Sequence, residues 1–544
     1  MQRLIYTLLL ITLSAVLVAA QDTNEEESDD DAEFVSSYLS TELQFNPLRS
    51  FTSTEAQIYT ALYEGLVGYH PLTLSPIPGV AERWEVSPDG QTYRFYFRAD
   101  ARYSNGDMVT PQHFRDTWLE LLDPQNESAY SFLFDIIEGA EDYRTGRETD
   151  PETVGIAVEG QNVLRVDLSH PAEHFLDILA HHSFVGLHPQ MLEAEDVNDL
   201  PQIIGNGPYK IEERSSDELV MEKNPYYWDR REVSIPTLRF VFSDDSAELT
   251  QGFNDEEIDW VAGGMLLDQV QYEDTIQVNP LLATTYFFMN TSRPGLDNPD
   301  VRRGLALLLP WEEIRSADLH FIPGDTLVPA LPYYPDVEGL NGQNVEEGLA
   351  LLEEEGYPDG EGLGPLVLRM PNGSQNDPIT SFVMEAWSEH LDVEVELETE
   401  PYDTYFDSFS EQADYSVGQI SWIADFADPL TFLQMWTSES NLNDSGFQND
   451  EFDEMINSSM GQTGNRRYET LAESEQLLLD SAVVLPVSHS PAINLIDLNR
   501  VEGWYPNPLD IHPYKYLEFS GRRPLPGTAG LGDQTVLPVG LQRR

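Results

Sequence analysis

Asp425 is the residue whose type and setting point most directly to chemistry. It follows the short apolar, β-branched run 416–423 and precedes Pro429, which places a carboxylate at the end of a buried strand and just before a helix start. No lysine or arginine occurs between Arg369 and Arg466, so an ion pair for it must be drawn from far along the chain. An Asp so placed is a solvated charge, a helix cap ahead of Pro429, or a fixed anion for a cationic ligand group. A pair at about 4 Å in an effective dielectric near 20 is worth about 4 kcal/mol before desolvation, enough to orient a ligand. Ser421, Trp422 and Ile423 lead into it in extended conformation, and their backbone groups can pair with an extended peptide as an added strand.

Other chemistries are narrowed by what the chain lacks. With no cysteine there are no disulfides, no thiol catalysis and no thiolate metal site. None of the eleven histidines lies in His-Glu-x-x-His, and Gly-x-Ser-x-Gly is absent. Paired carboxylates for glycoside chemistry stay open, because 96 acidic residues bring some together by chance. Asn441-x-Asn443-x-Ser445-Gly446 faintly resembles a calcium loop, but Phe452 occupies the position where a bidentate Glu is needed. No catalytic residue, metal or cofactor is expected.

These residues sit in a long, very acidic chain. Residues 1–20 carry Arg3, the apolar run 4–17 and small residues before Gln21, the pattern of a cleavable secretory signal. Without a cysteine at the cleavage point a lipoprotein is excluded, and no later stretch is apolar enough to span a bilayer. Residues 21–34 read as an acidic spacer and 521–544 as a loose tail. The 544 residues exceed what one core serves, so two or three lobes are expected. A net charge of −67 with only three lysines opposes compaction in dilute buffer and is screened in concentrated salt, which makes a saline habitat the simplest account. The same charge excludes nucleic acid as a partner.

Trp422-x-Ala424-Asp425-Phe426-x-Asp428-Pro429-x-x-Phe432-Leu433 resembles the Trp-x-Ala-Asp-Tyr-x-x-Pro-x-x-Phe-Leu segment of the oligopeptide-binding proteins that feed ABC importers, solute-binding family 5. Further similar segments follow in order along the chain: Leu62-Tyr63-Glu64-Gly65-Leu66, the block from Phe95 through Tyr103-Ser-Asn-Gly-Asp-Met-Val-Thr110 to Phe114, Gly205-Asn206-Gly207-Pro208-Tyr209-Lys210, and Asn224-Pro225-Tyr226-Tyr227-Trp228. Asn298-Pro299-x-Val301-Arg302 opens another, but Pro310 should end or kink that helix.

The resemblance implies an α/β, periplasmic-binding-protein-like fold of type II: two lobes on a paired-segment hinge, and three domains of mixed sheets flanked by helices. Domain I would comprise 35–63, 201–284 and 500–520, domain II 64–200 and domain III 285–499. It further implies a periplasmic receptor that closes over an extended peptide and delivers it to an inner-membrane ABC permease with its ATPase subunits, acting as a monomer and not as an enzyme. Asp425 would take the peptide's α-ammonium, and Phe51, Thr52 and Ser53 the opposing backbone. Tyr130 and Tyr402 would line the cleft, with plain core packing as the alternative for each. The family's basic residues for the peptide carboxylate are missing: Phe409 or Ser410, Gln419 and Asn376 stand there, which leaves His489, a remote arginine or solvent. Alternatives are a receptor for oligosaccharide, with Trp422 and Trp436 as stacking platforms, a secreted glycoside hydrolase, and a holdase or sensor independent of transport.

Overall fold

A computed structural model of the chain describes residues 32–520 apart from 51, 127, 173, 318–321, 332–333, 373, 375–376, 407 and 410–413, and for 402 and 403 it describes the backbone alone. The expected export signal, most of the acidic run and the C-terminal stretch 521–544 lie outside the described residues.

Strict alternation builds one lobe. In Thr92–Phe97 the side chains of Tyr93, Phe95 and Phe97 are buried and their neighbours are not, the period of a strand with one face on a core. The turn to its hairpin partner Ala81–Val86 falls at Pro88-Asp89-Gly90, as the sequence indicates; Gly90 has a φ of 76° and donates its N–H to the Ser87 carbonyl at 2.9 Å. Val163–Asp167 and Ile156–Glu159 complete a four-stranded antiparallel sheet. The helix Pro111–Leu122 covers it with Phe114, Trp118, Leu121 and Leu122.

An eleven-stranded mixed sheet builds the rest. From edge to edge it runs Val395–Glu400, Leu366–Pro371, Val417–Ile423, Ile276–Met289, Val484–Ile496, Trp260–Val261, Glu33–Tyr38, Thr237–Phe242, Glu218–Lys223 and Tyr209–Arg214, with Ile322–Pro323 added beside Val484–Ile496. Residues 281–289 are buried throughout, which is why that stretch reads as a continuous apolar run and not as an alternation. Helices Pro299–Leu307, Val345–Glu354 and Pro378–His390 pack a second core around Phe287, Leu305, Leu352 and Trp387. Pro310 acts as expected: the helix ends at Leu307, and Pro310 is the cap of a new one, Trp311–Ser316. One boundary differs from expectation. The first strand begins at Glu33, inside the run assigned to a spacer, because its carboxylate pairs with Arg239 of the neighbouring parallel strand at 2.9 Å.

Two adjacent chain crossings join the smaller sheet to the larger. Gly207 donates its N–H to the Leu62 carbonyl at 2.9 Å, and the Asn206 side chain brackets Glu64, accepting from its N–H at 3.0 Å and donating to its carbonyl at 2.8 Å. A Cβ at Gly205 would overlap the Leu62 carbonyl, so glycine is what allows the two backbones to lie in contact.

Candidate ligand-binding cleft

Between the two sheet bodies lies a cavity of about 1200 Å3. Its walls come from separate parts of the chain: residues 52–57 at the start of the helix Ser53–Leu62, the loop from Asp123 to Ser131, His181 and His182, and the strand end Ile420 to Asp425. Of the residues expected at a ligand site, Thr52, Ser53, Tyr130, Ser421, Trp422, Ile423 and Asp425 all line this one cavity. Phe51 and the side chain of Tyr402 lie outside the described residues.

The strand Val417–Ile423 explains how backbone groups reach the cavity. On one edge it pairs along its whole length with Ile276–Met289, from Val417 opposite Met289 to Ile423 opposite Ala283. On the other edge the parallel partner Leu366–Pro371 reaches only Val417 and Gly418. Ala424 donates its N–H to the Leu282 carbonyl at 2.8 Å, so strand alternation puts Trp422 and Ile420 on the paired edge and turns the backbone of Ser421 and Ile423 towards the cavity. Gln419, next in that alternation, has its N–H and carbonyl both bonded by the Tyr405 hydroxyl, at 3.0 and 2.8 Å. The exposed edge is therefore short and ends at Asp425.

Asp425 is 8% exposed and has no lysine or arginine against it among the described residues. Its Oδ2 accepts from the Thr431 hydroxyl at 3.1 Å, the Tyr130 hydroxyl also donates to it, and Nε2 of His181 stands 3.5 Å from Oδ1. Burial raises the carboxyl to about 7, against the opposing pull of the Thr431 and Tyr130 hydrogen bonds. Burial also lowers His181 to about 3, so this imidazole is neutral and supplies no compensating charge. The carboxylate that shapes the turn into the helix is a different residue: Asp428, just before the cap Pro429, accepts from the Leu430 N–H at 2.9 Å, and Arg467 grips it with two bonds of 2.6 and 2.8 Å.

Two expectations fail for reasons of packing. His489 does not line the cavity; it is paired across the sheet with Ile322 and Thr284, hydrogen-bonds the Thr284 hydroxyl at 3.0 Å, and is lowered to about 4 by burial. Trp436 is no stacking platform, since it is buried edge-on against Tyr286, while the Trp422 indole N–H is tied to the Thr431 carbonyl at 3.1 Å. The candidate calcium loop uses its amides to shape a turn and reach across the cleft: Asn443 donates to the Phe447 carbonyl at 2.8 Å and Asn441 to the Ser128 carbonyl at 3.1 Å.

Other cleft residues were not anticipated. Arg49, Arg144, His181 and His182 line the cavity, and Tyr69 donates its hydroxyl to the Asp425 carbonyl at 3.0 Å from the opposite lobe. The His181-His182 dipeptide, placed among apolar residues in a chain poor in basic groups, is the one signal that could have drawn attention to them. Arg144 is committed within its own lobe by two bonds to Asp135, at 2.8 and 2.7 Å, and it also reaches the Glu439 carbonyl at 3.1 Å.

Comparison with known proteins agrees with this geometry. A family model of bacterial extracellular solute-binding proteins, family 5 (middle region), matches residues 75–444. The oligopeptide-binding protein OppA of Bacillus subtilis is 28% identical over 438 residues, covering 76% of this chain and 79% of its own. Among solved structures, the murein tripeptide binding protein MppA of Escherichia coli superposes with a TM-score of 0.81 at 23% identity, covering 90% of this chain and 98% of its own. Haemophilus influenzae OppA in complex with the peptide RPPGFSPFR gives 0.80 at 23% identity, with coverage of 90% and 99%. These likenesses assign the fold to the periplasmic-binding-protein class.

Proposed function

Given that this chain belongs to the bacterial extracellular solute-binding proteins of family 5, we propose that it captures extended peptides in the interlobe cleft and delivers them to an ABC importer. One observation carries the reading: a buried carboxylate, facing the cavity at the end of an exposed strand edge, whose bonded neighbours among the described residues, Thr431, Tyr130 and His181, are neutral. A bare anion in that setting is costly, and an ammonium group entering the cleft offsets the cost. The peptide lies along Ser421 and Ile423 as an added strand, with its α-ammonium at Asp425 and Thr52 and Ser53 on the facing wall. Tyr130 orients the carboxylate, and its aromatic face closes the cavity beside His181, at a centroid distance of 4.5 Å.

In this reading 64–200 forms one lobe, supported by a four-stranded sheet lying wholly within it. Residues 35–63, 201–284, 285–499 and 500–520 form the other, as two domains sharing the large sheet. The protein is exported by a cleavable signal, works in the periplasm as a monomer without lipid attachment in a saline setting, partners a permease with its ATPase subunits, and performs no catalysis.

Calorimetry with a peptide library in concentrated KCl tests the assignment. Wild type should bind peptides, and Asp425→Ala should weaken binding about 100-fold while leaving the fold intact. Failure of every peptide to bind, or binding indifferent to Asp425→Ala, overturns the reading.

A further inference from the structure

If the cleft holds a peptide by its ammonium end, the ligand also brings at least one carboxylate into a cavity already lined by Asp123, Asp425, Asp444 and Asp510. Something must meet that second charge. Gln419, at a position that is basic in the family, carries no charge, and His489 sits within the sheet, bonded to the Thr284 hydroxyl and away from the cavity. Among the described residues, only two guanidinium groups and no lysine line the cavity. Arg144 is neutralised by its paired bonds to Asp135. His181 and His182 are both driven neutral by burial.

Arg49 is different. It is exposed to the cavity, and no ion pair or side-chain hydrogen bond engages its guanidinium among the described residues. Its turn is firmly seated: the Arg49 N–H donates to the Asn46 carbonyl at 3.0 Å, and Leu48 and Ser50 on either side are buried. Glu55, six residues on, is held elsewhere: its oxygens accept from the Ser50 hydroxyl, at 2.7 Å, the Thr52 hydroxyl, at 2.9 Å, and the Gln44 N–H, at 2.8 Å. In a chain of net charge −67, an arginine at the cavity wall with no acidic partner among the described residues stands against the general trend.

We infer that Arg49 receives a carboxylate of the bound peptide while Asp425 receives its ammonium. This rests on the peptide reading above and assigns the polar group that fixes the ligand's second charge. The carboxylate is either the peptide's C-terminus or an acidic side chain, and one experiment separates the two.

A tri- to pentapeptide library is offered in concentrated KCl as free acids and as C-terminal amides, and separately as Glu-containing peptides and their Gln counterparts; captured ligand is washed, eluted by denaturation and read by mass spectrometry. Wild type should favour the acid member by about tenfold in one of the two arms, the size expected for a charge-assisted hydrogen bond. Arg49→Gln should bring that ratio to about one without weakening the amide or Gln member, and Arg49→Lys should keep part of the preference. Because the Arg49 side chain is exposed and enters no hydrogen bond or ion pair among the described residues, neither variant is expected to disturb folding. Ratios unchanged by Arg49→Gln in both arms, or no preference in wild type, overturn the role of Arg49 while peptide capture stands. A wild-type protein that captures no peptide at all overturns both.

Discussion

Asp425 and Asp428 stand three residues apart in the turn between the strand Val417–Ile423 and the helix Leu430–Leu433, yet the structure treats them in opposite ways. Asp428 meets Arg467 through two short bonds and accepts from the Leu430 N–H; burial alone would raise its carboxyl, but the guanidinium outweighs burial and holds it below the usual range. Asp425 meets two hydroxyls and a neutral imidazole, and its carboxyl is raised to about 7. A completed charge pair in one place and an uncompleted one beside it divide the labour: Asp428 shapes the turn, and Asp425 is left for a charge that arrives from outside.

The largest effect that would break this contrast is on stability. Arg467→Ala leaves Asp428 buried without its partner and should destabilise the protein by about 3 kcal/mol in urea titrations at pH 8. If stability were unchanged, Asp428 would be no more structural than its neighbour. Asp425→Asn should do the reverse in the empty protein. A carboxyl whose folded value is raised above its unfolded value binds more protons when folded, so its contribution is intact below about pH 4 and is lost as pH rises through about 7. The Asn variant should therefore be more stable than wild type by about 2 kcal/mol at pH 8 and no different at pH 4. A destabilised variant at pH 8 would mean that the carboxylate already has its partner. Tyr69→Phe sharpens the contrast with the smallest change. It removes one hydrogen bond from the opposite lobe to the Asp425 backbone and should weaken peptide binding about fivefold by loosening closure, with no change in urea stability.

Much of the scaffold was legible because it depends on local rules. Alternation in Thr92–Phe97, the Pro88-Asp89-Gly90 turn, the break at Pro310 and the strand ending just before Asp425 each follow from side-chain period or backbone restriction within a few residues. The cleft was legible in part, since Ser421, Trp422, Ile423 and Asp425 are consecutive or nearly so and share one strand end. Its electrostatic completion was not. The sequence showed that any cation for this turn had to come from a distance, and one does, but Arg467 goes to Asp428 and leaves Asp425 alone.

By itself, then, the sequence determined which segments are strands and helices, where the acidic turn falls, and that the chain has few cations to distribute, because these depend on composition and short-range geometry. Only the tertiary structure decided which carboxylate receives the guanidinium, that His181 reaches Asp425 from the other lobe, that His489 lies within the sheet and Trp436 is buried against Tyr286, and that Arg49 stays unpaired among the described residues at the cavity wall. Partnerships between residues tens to hundreds of positions apart are set by how the two lobes pack, and no local pattern encodes them.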